Sequence, residues 1–309
     1  MKRECAVAFL LILTTFNGCI SSDNHDAVNT LSPTPPNVLL ECSQNKWAIV
    51  GGYGSDGAGW FSFVKMISDT YHITKDDFGF PDSHIFVMST PRIQISESRW
   101  TVDFTKAQFF RYLQMINELS PDPANATILV VVHTHGTCID TNGAEDLRPH
   151  SGFYIVDSPP IWGWLWDYEL RDALDNYTMP TQKIIIVINA CQSGNFAAQD
   201  TTGLLYGRTD FLYTPCSGPN RIVITGATAP LAIQSIGAYA INDRFLKEGL
   251  AEGKGDTNPI NGNHDGKTSV EEAWFYYKSC LTDAGVLTAQ PCMNDQCPAE
   301  NPEEEMFLT

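Results

Sequence analysis

The chain has 309 residues, 43% of them hydrophobic, and a formal net charge of −17. That is enough apolar material for one large α/β domain or two small ones, and it excludes a chain disordered through its length. With this acidic balance and no run of Lys or Arg, a long polyanion such as nucleic acid is not an expected partner.

The first element in chain order is a targeting segment. Lys2 and Arg3 supply positive charge, and Ala6 to Phe16 form an apolar stretch too short to span a bilayer, the pattern of a signal peptide. Gly18-Cys19 closes it, and a small residue before that cysteine resembles a prokaryotic lipoprotein processing site with Cys19 as the lipidated residue. The protein is therefore expected outside the cytoplasm, secreted or held to a membrane by lipid. Residues 20–36 are polar, with three prolines near the end, and read as the body of a flexible tether over residues 20–44.

Order is predicted from Lys46 onward. A short strand over Lys46–Gly51 is followed by helical spacing over Trp60–Ile73, where Phe63, Ile67 and Tyr71 recur every fourth residue. Pro81-Asp82 makes a turn into a second strand at Ile85–Met88. Thr105 caps a helix running to about Leu119, with Phe109, Leu113 and Ile116 on one face. A third strand, Ile128–Val132, runs into His133-Thr134-His135-Gly136-Thr137. Gly152–Asp157 reads as a hairpin arm and Tyr168–Tyr177 as a helix. Between them, Trp162, Trp164 and Trp166 alternate with period two, as packing beside a sheet or as a substrate lip.

The stretch Lys183–Phe196, KIIIVINACQSGNF, organises the rest. Ile184–Ile188 is a β-branched run too short for a buried helix and fits a strand covered on both faces of a parallel sheet. Small residues then surround Cys191 just past the strand, at the edge where open α/β sheets bind ligands. A further strand at Arg221–Gly226 and a helix at Ile236–Gly249 follow. Strands alternating with helices predict a three-layer α/β/α sandwich with a mainly parallel sheet.

Strands 128–132 and 184–188 each deliver a reactive residue past their carboxyl ends, with a helix in the crossover, so they are expected as sheet neighbours. That would bring His135 to Cys191. Imidazole beside a thiol makes a nucleophile competent near neutral pH. Gly136 leaves room for a backbone N–H, and the Gly136 and Cys191 amides would form an oxyanion hole worth ~3–4 kcal/mol per donor. Taken alone, the stretch leaves Cys191 divided between nucleophile and buried structural cysteine.

An apolar strand ending in His-Gly, with an apolar strand ending in Ala-Cys roughly fifty residues later, has the spacing of the caspase signature. The local words resemble legumain, the asparaginyl endopeptidase family of the caspase-like clan, over roughly Lys46 to Leu250. Trp47-Ala-Ile-Val-Gly51 resembles that family's first strand. Gly79-Phe-Pro-Asp82 with Ile85-Phe-Val-Met88 resembles its Gly-x-Pro-Asp turn and second strand. Thr134-His135-Gly136-Thr137 resembles its Asp-His-Gly-Ser block, and Asn189-Ala-Cys-Gln-Ser-Gly194 its Glu-Ala-Cys-Glu-Ser-Gly block. The resemblance implies a caspase-like fold and a cysteine endopeptidase acting on peptide or protein substrates, with His135 as general base and Cys191 as nucleophile. Where the family has Asn in a Ser-Asn-Gly word, this chain has Ser55-Asp56-Gly57, and Asp56 is expected to orient the imidazole in its stead. The family's Asn-binding pocket does not trace onto this chain.

Two other readings stay open: a non-catalytic surface binding protein on the same fold, and a zinc hydrolase using His133 and His135. The second lacks the rest of its ligand pattern, since Thr137 and Cys138 stand where Asp and His would be needed.

Residues Asn261 to Glu272 match a twelve-residue EF-hand loop at positions three, five, six and twelve. Asn263 and Asp265 would give side-chain oxygens, Lys267 its carbonyl and Glu272 a bidentate carboxylate around a structural Ca²⁺, with Asn261 rather than Asp at position one. The alternative is an Asn/Gly turn capping the helix from Val270 to Lys278. The organisation expected is thus 1–19 signal peptide, 20–44 tether, 45–255 caspase-like peptidase domain, 256–282 calcium loop and helix, and 283–309 acidic, Cys-containing tail. Of nine cysteines, six (Cys42, Cys138, Cys216, Cys280, Cys292 and Cys297) remain to pair in an oxidising compartment, with Cys280, Cys292 and Cys297 expected to hold the tail.

Overall fold

Strand β1 (Lys46–Tyr53) is the first element in a computed structural model that describes residues 45–54, 63–140, 149–158, 161–197, 216–227, 241–285, 291–297 and 305–308. Helix α1 (Phe63–His72) follows and then β2 (Ile85–Thr90), with a short hairpin of β3 (Gln94–Ser96) and β4 (Arg99–Trp100). Helix α2 (Lys106–Leu119) starts where expected, the Thr105 hydroxyl accepting from Gln108 N at 3.2 Å. Next come β5 (Thr127–His133), β6 (Gly136–Asp140), β7 (Pro149–Ser158), β8 (Ile161–Trp166) and α3 (Asp167–Tyr177). The chain continues through β9 (Lys183–Asn189), the single turn α4 (Gly194–Ala197), β10 (Arg221–Thr225) and α5 (Ile241–Ala251), which is wound as a π-helix. Helix α6 (Val270–Asp283) and strand β11 (Cys292–Asp295) complete it.

Six strands form one sheet in the order β11-β10-β9-β5-β1-β2, parallel except for β11, which pairs with β10 antiparallel. Its central strands are apolar on both sides because both sides are covered. Ala48, Val50, Leu129, Val131, Ile185 and Val187 belong to one core with α1, α5 and α6. Their alternates Ile49, Ile128, Val130, Val132, Ile184 and Ile186 belong to a second core with α2 and α3. Period two along the strands thus sends successive residues to opposite layers. The three-layer α/β/α sandwich with a mainly parallel sheet is the architecture the strand–helix alternation predicted.

Two features bearing on function, the extent of a second sheet and the anchoring of the tail, depart from the sequence reading, while the tryptophan run agrees with it. The hairpin arm expected over Gly152–Asp157 is part of β7, and β6, β7 and β8 together form a separate antiparallel sheet, with Gly136 opposite Phe153. That sheet packs into the second core through Phe153, Ile155 and Leu165. The tryptophan run is its strand β8, and Trp166 lies over Gly152, where a Cβ would meet its ring at 2.7 Å. Trp164 meets Tyr154 edge-on at 5.3 Å, so for Trp164 and Trp166 the packing reading holds. The side chain of Trp162 lies outside the described residues.

The tail is held by strand pairing. No disulfide joins any two described cysteines, which corrects the expectation that Cys280, Cys292 and Cys297 hold the tail through disulfides with other described cysteines. Cys292 is buried in the core beneath α2 and α3, whereas Cys297 is buried in the other core, against Met306 Sδ at 3.9 Å. Segregated by the sheet, the two thiols serve as core residues. Cys42 lies outside the described residues, as do residues 1–44 with Cys19.

Candidate active site

The site follows from the pairing of β5 with β9. Their register sets Val132 opposite Ile188 and His133 opposite Asn189. His135 and Cys191 each lie two residues further on, so both leave the sheet at one level, on strands about 4.8 Å apart. The amide of Thr134 then donates to Asn189 O at 3.2 Å and ties the two exits together. Gly136 sits directly on the backbone of Cys191: a Cβ there would meet Cys191 O at 1.9 Å and Ala190 Cβ at 3.0 Å. Only glycine permits that approach. His135-Gly136 and Ala190-Cys191, far apart in sequence, therefore form one surface.

His135 is exposed along one edge and walled by aromatic rings on the other. Phe63 of α1 meets the imidazole edge-on, with centroids 5.2 Å apart, and Tyr53 at the end of β1 lies at 6.4 Å. Tyr154 supports Tyr53 from β7 at 4.8 Å, and its amide donates to His135 O at 2.8 Å. Partial desolvation by this wall lowers the pKa of His135 from its ordinary value. The ring is thus neutral at pH 7, in the state that can accept a proton. Asp56, expected to orient it, lies outside the described residues. Tyr53, Phe63 and Tyr154 were not anticipated; they come from three separate elements and share no local motif.

Cys191 is half-buried at the start of a tightly tied turn. The next residue, Gln192, has φ of +53°, a left-handed conformation that a non-glycine residue adopts at a cost of ~1–3 kcal/mol. Such a conformation persists only where its surroundings hold it, and here three links do. Ser193 Oγ donates to Ala190 O at 2.8 Å, and the Cys138 amide donates to Gln192 Oε1 at 3.0 Å. Ser151 Oγ of β7 donates to Gln192 O and accepts from Asn195 N at 3.2 Å. The small sheet that carries Gly136 thereby also holds the cysteine turn.

Beneath the surface lies His133, fully buried at the end of β5. Asn189 Nδ2 donates to its Nδ1 at 3.0 Å, which leaves Nε2–H to donate to Thr70 Oγ1 at 2.9 Å. The Thr70 hydroxyl donates in turn to Asn242 Oδ1 at 2.8 Å, and Asn242 Nδ2 donates to Met66 O at 2.9 Å. Burial pushes the His133 imidazole down to about 3, so it is neutral at any ordinary pH. Both ring nitrogens are committed, one as donor and one as acceptor. That removes His133 from the zinc pair considered with His135; among the described residues, no three His, Cys, Asp or Glu side chains are grouped to hold a metal.

The residues of the EF-hand-like stretch fall on the loop between α5 and α6. Glu272 is buried and caps α6: Ser269 Oγ accepts from Glu272 N at 3.1 Å while Glu272 Oε2 accepts from Ser269 N at 3.0 Å. Its other oxygen, Oε1, accepts from Asn263 N at 2.8 Å. Asn263 Oδ1 accepts from Asp265 N at 2.9 Å, and Asp265 Oδ1 from Lys267 N at 2.8 Å. The structure thus brings Asn263, Asp265 and Glu272 into one folded loop. Asn261 is exposed and makes no hydrogen bond among the described residues.

No protein-family model matches the chain, and no curated protein is similar to it. Among solved structures, it is similar to the Drosophila initiator caspase Dronc at 12% identity, covering 96% of this chain and 98% of that one with a TM-score of 0.49. Caspase-1 from Spodoptera frugiperda is similar at 13% identity, with 86% and 92% covered and a TM-score of 0.44. A protein from Geobacter sulfurreducens is similar at 13% identity, with 63% and 80% covered and a TM-score of 0.39. Identities and scores of this size say nothing of activity, and what the site can do follows from its own residues.

Proposed function

We propose that this chain is an exported cysteine endopeptidase of legumain-like type. One observation carries the reading: β5 and β9 end in register and lay His135-Gly136 against the backbone of Cys191. A neutral imidazole and a thiol at adjoining strand ends are what a Cys–His dyad requires. In the proposed reaction the Cys191 proton passes to His135 and the thiolate sulfur attacks the scissile carbonyl carbon. The oxyanion so formed accepts from the amides of Gly136 and Cys191. His135 gives its proton to the leaving amine as the C–N bond breaks, which leaves a thioester on Cys191. Water, deprotonated by His135, then releases the acid and restores the thiol.

The substrate is a peptide or protein segment presented to the sheet edge between the aromatic wall of His135 and the cysteine turn. Peptidase activity is assigned to residues 45–255, with residues 1–19 directing export, Cys19 accepting lipid and residues 20–44 spacing the domain from the membrane surface. Asp56 is assigned to orienting His135.

Alkylation tests the reading. Iodoacetamide should label Cys191 faster than any other cysteine near pH 7, and His135→Ala should slow that labelling about tenfold or more. Cys191→Ala should abolish hydrolysis of a peptide library, whose cleavage pattern also reports the side-chain preference. Slow labelling of Cys191 that is indifferent to His135→Ala, with no cleavage of any peptide, would identify the protein as a binding module on this fold.

A further inference from the structure

The loop before α6 gathers more negative charge than the EF-hand pattern contains. Asn263 Nδ2 donates to both oxygens of Glu305, at 3.1 and 3.0 Å, which ties the C-terminal segment to the loop. Asp256 also folds back onto it. Its carbonyl accepts from His264 N at 3.2 Å, and a Cβ on Gly262 would lie 2.1 Å from that oxygen. Asp256 is only 8% exposed, and its Oδ1 has no hydrogen-bond partner. Asn263 thus joins Glu272, Asp265 and Glu305 directly, the Asp256 backbone borders the same loop, and none of these four carboxylates has an ion-pair partner among the described residues.

A buried carboxylate oxygen with nothing to accept from is costly, because its hydration is lost and nothing replaces it. Three more anions close by add repulsion. The arrangement asks for a cation, and the available donors decide which one. Every donor is a hard oxygen: carboxylates, the Asn263 amide and a backbone carbonyl, on a loop whose Gly266 turns at φ +86°. Among the described residues no three carboxylates form a ready cage, so the loop would have to close around the ion as it binds. That suits Ca²⁺, which accepts six to eight oxygens in loose geometry, better than Mg²⁺ with its strict octahedron.

We infer that this loop binds one Ca²⁺ through Asp256, Asn263, Asp265, Glu272 and Glu305 with the Lys267 carbonyl, Asp256 supplying the charge that Asn261 lacks at position one. The ion would join three parts of the chain: the end of α5, the cap of α6 and the C-terminal segment. That segment already accepts from Val270 N at Met306 O, at 2.8 Å, and from Lys46 Nζ at Leu308 O, at 2.6 Å. The site is independent of the peptidase reading and stands whether or not Cys191 is a nucleophile.

Calorimetric titration of CaCl₂ into the EDTA-stripped full chain tests it, with MgCl₂ as control and thermal unfolding as a second readout. One site is expected, with Kd of ~10⁻⁴–10⁻³ M, and about 10 mM calcium should raise Tm by roughly 3–10 °C. Asp256→Asn and Glu305→Gln should each weaken binding about tenfold or more, without lowering Tm of the stripped protein. Asn261→Ala should bind as the wild type does. Absence of both heat and Tm shift at 10 mM CaCl₂ in the wild type overturns the site. Binding lost in Asn261→Ala but kept in Asp256→Asn overturns the donor set. If Asp256→Asn does not fold, the wild-type titration and Glu305→Gln decide the matter.

Discussion

Gly136→Ala tests the contact on which the site depends. The added Cβ would stand 1.9 Å from Cys191 O, 2.9 Å from Cys191 C and 3.0 Å from Ala190 Cβ. Two of these three atoms are backbone, so no rotamer change relieves the overlap. An ordinary contact would require the start of β6 and the Cys191 carbonyl to part by roughly 1 Å. Overpacking of this kind costs ~1–3 kcal/mol, and for a domain of this size each kcal/mol lowers Tm by ~2–4 °C. The effect on catalysis should be larger, because a misplacement of about 1 Å between reacting groups costs ~100-fold. The expected result is a folded protein with Tm reduced by several degrees, kcat/KM on a peptide substrate down about 100-fold, and slower alkylation of Cys191. Measuring all three separates displacement from unfolding. Wild-type values for kcat/KM and alkylation in Gly136→Ala would refute the claim that Gly136 rests on the Cys191 backbone.

Two further outcomes follow from the buried residues. His133 is held near a pKa of about 3 by burial, against ~6.5 when unfolded, and the side chains bonded to it, Thr70 and Asn189, do not titrate. The unfolded chain therefore takes up a proton that the folded chain refuses, so this contribution is complete above pH ~6.5 and drains away as pH falls toward 3. At pH 5 the loss should be roughly 2 kcal/mol. Urea unfolding at pH 7.5 and 5 should show a drop smaller by that amount in His133→Gln, and equal drops would contradict the assignment. Ser151→Ala removes a donor to Gln192 O and an acceptor for Asn195 N. It should lower kcat about tenfold with KM little changed. A change in KM alone would place Ser151 in substrate binding instead of in positioning the turn.

Local physical chemistry made much of this protein legible before any fold was known. Ile184–Ile188 reads as a strand covered on both faces because five apolar, mostly β-branched residues satisfy two cores at once, and the structure covers both. Thr105 announces a helix start because a cap is an interaction between residues three apart, whereas the Ser269/Glu272 cap of α6 emerged only from the structure. The two strand ends carrying His135 and Cys191 were expected together, since sequential parallel strands with a helical crossover tend to pair.

What the tertiary structure decided are the relations that no local pattern encodes. Register is one: His133 opposite Asn189 puts His135 and Cys191 at the same level, whereas a slip of one residue would have turned their neighbours to the other layer. The wall of Tyr53, Phe63 and Tyr154 is another, assembled from β1, α1 and β7 with no common spacing. An even number of cysteines suggested a stapled tail, but the sheet assigns Cys292 and Cys297 to different cores, and strand pairing holds the tail. His133 and His135, alike in sequence and two residues apart, have opposite fates: one is buried with both nitrogens spent, the other turned to solvent beside Cys191. Composition and periodicity determine which elements form. Burial and register, which depend on the whole chain, determine which side chain is left to react.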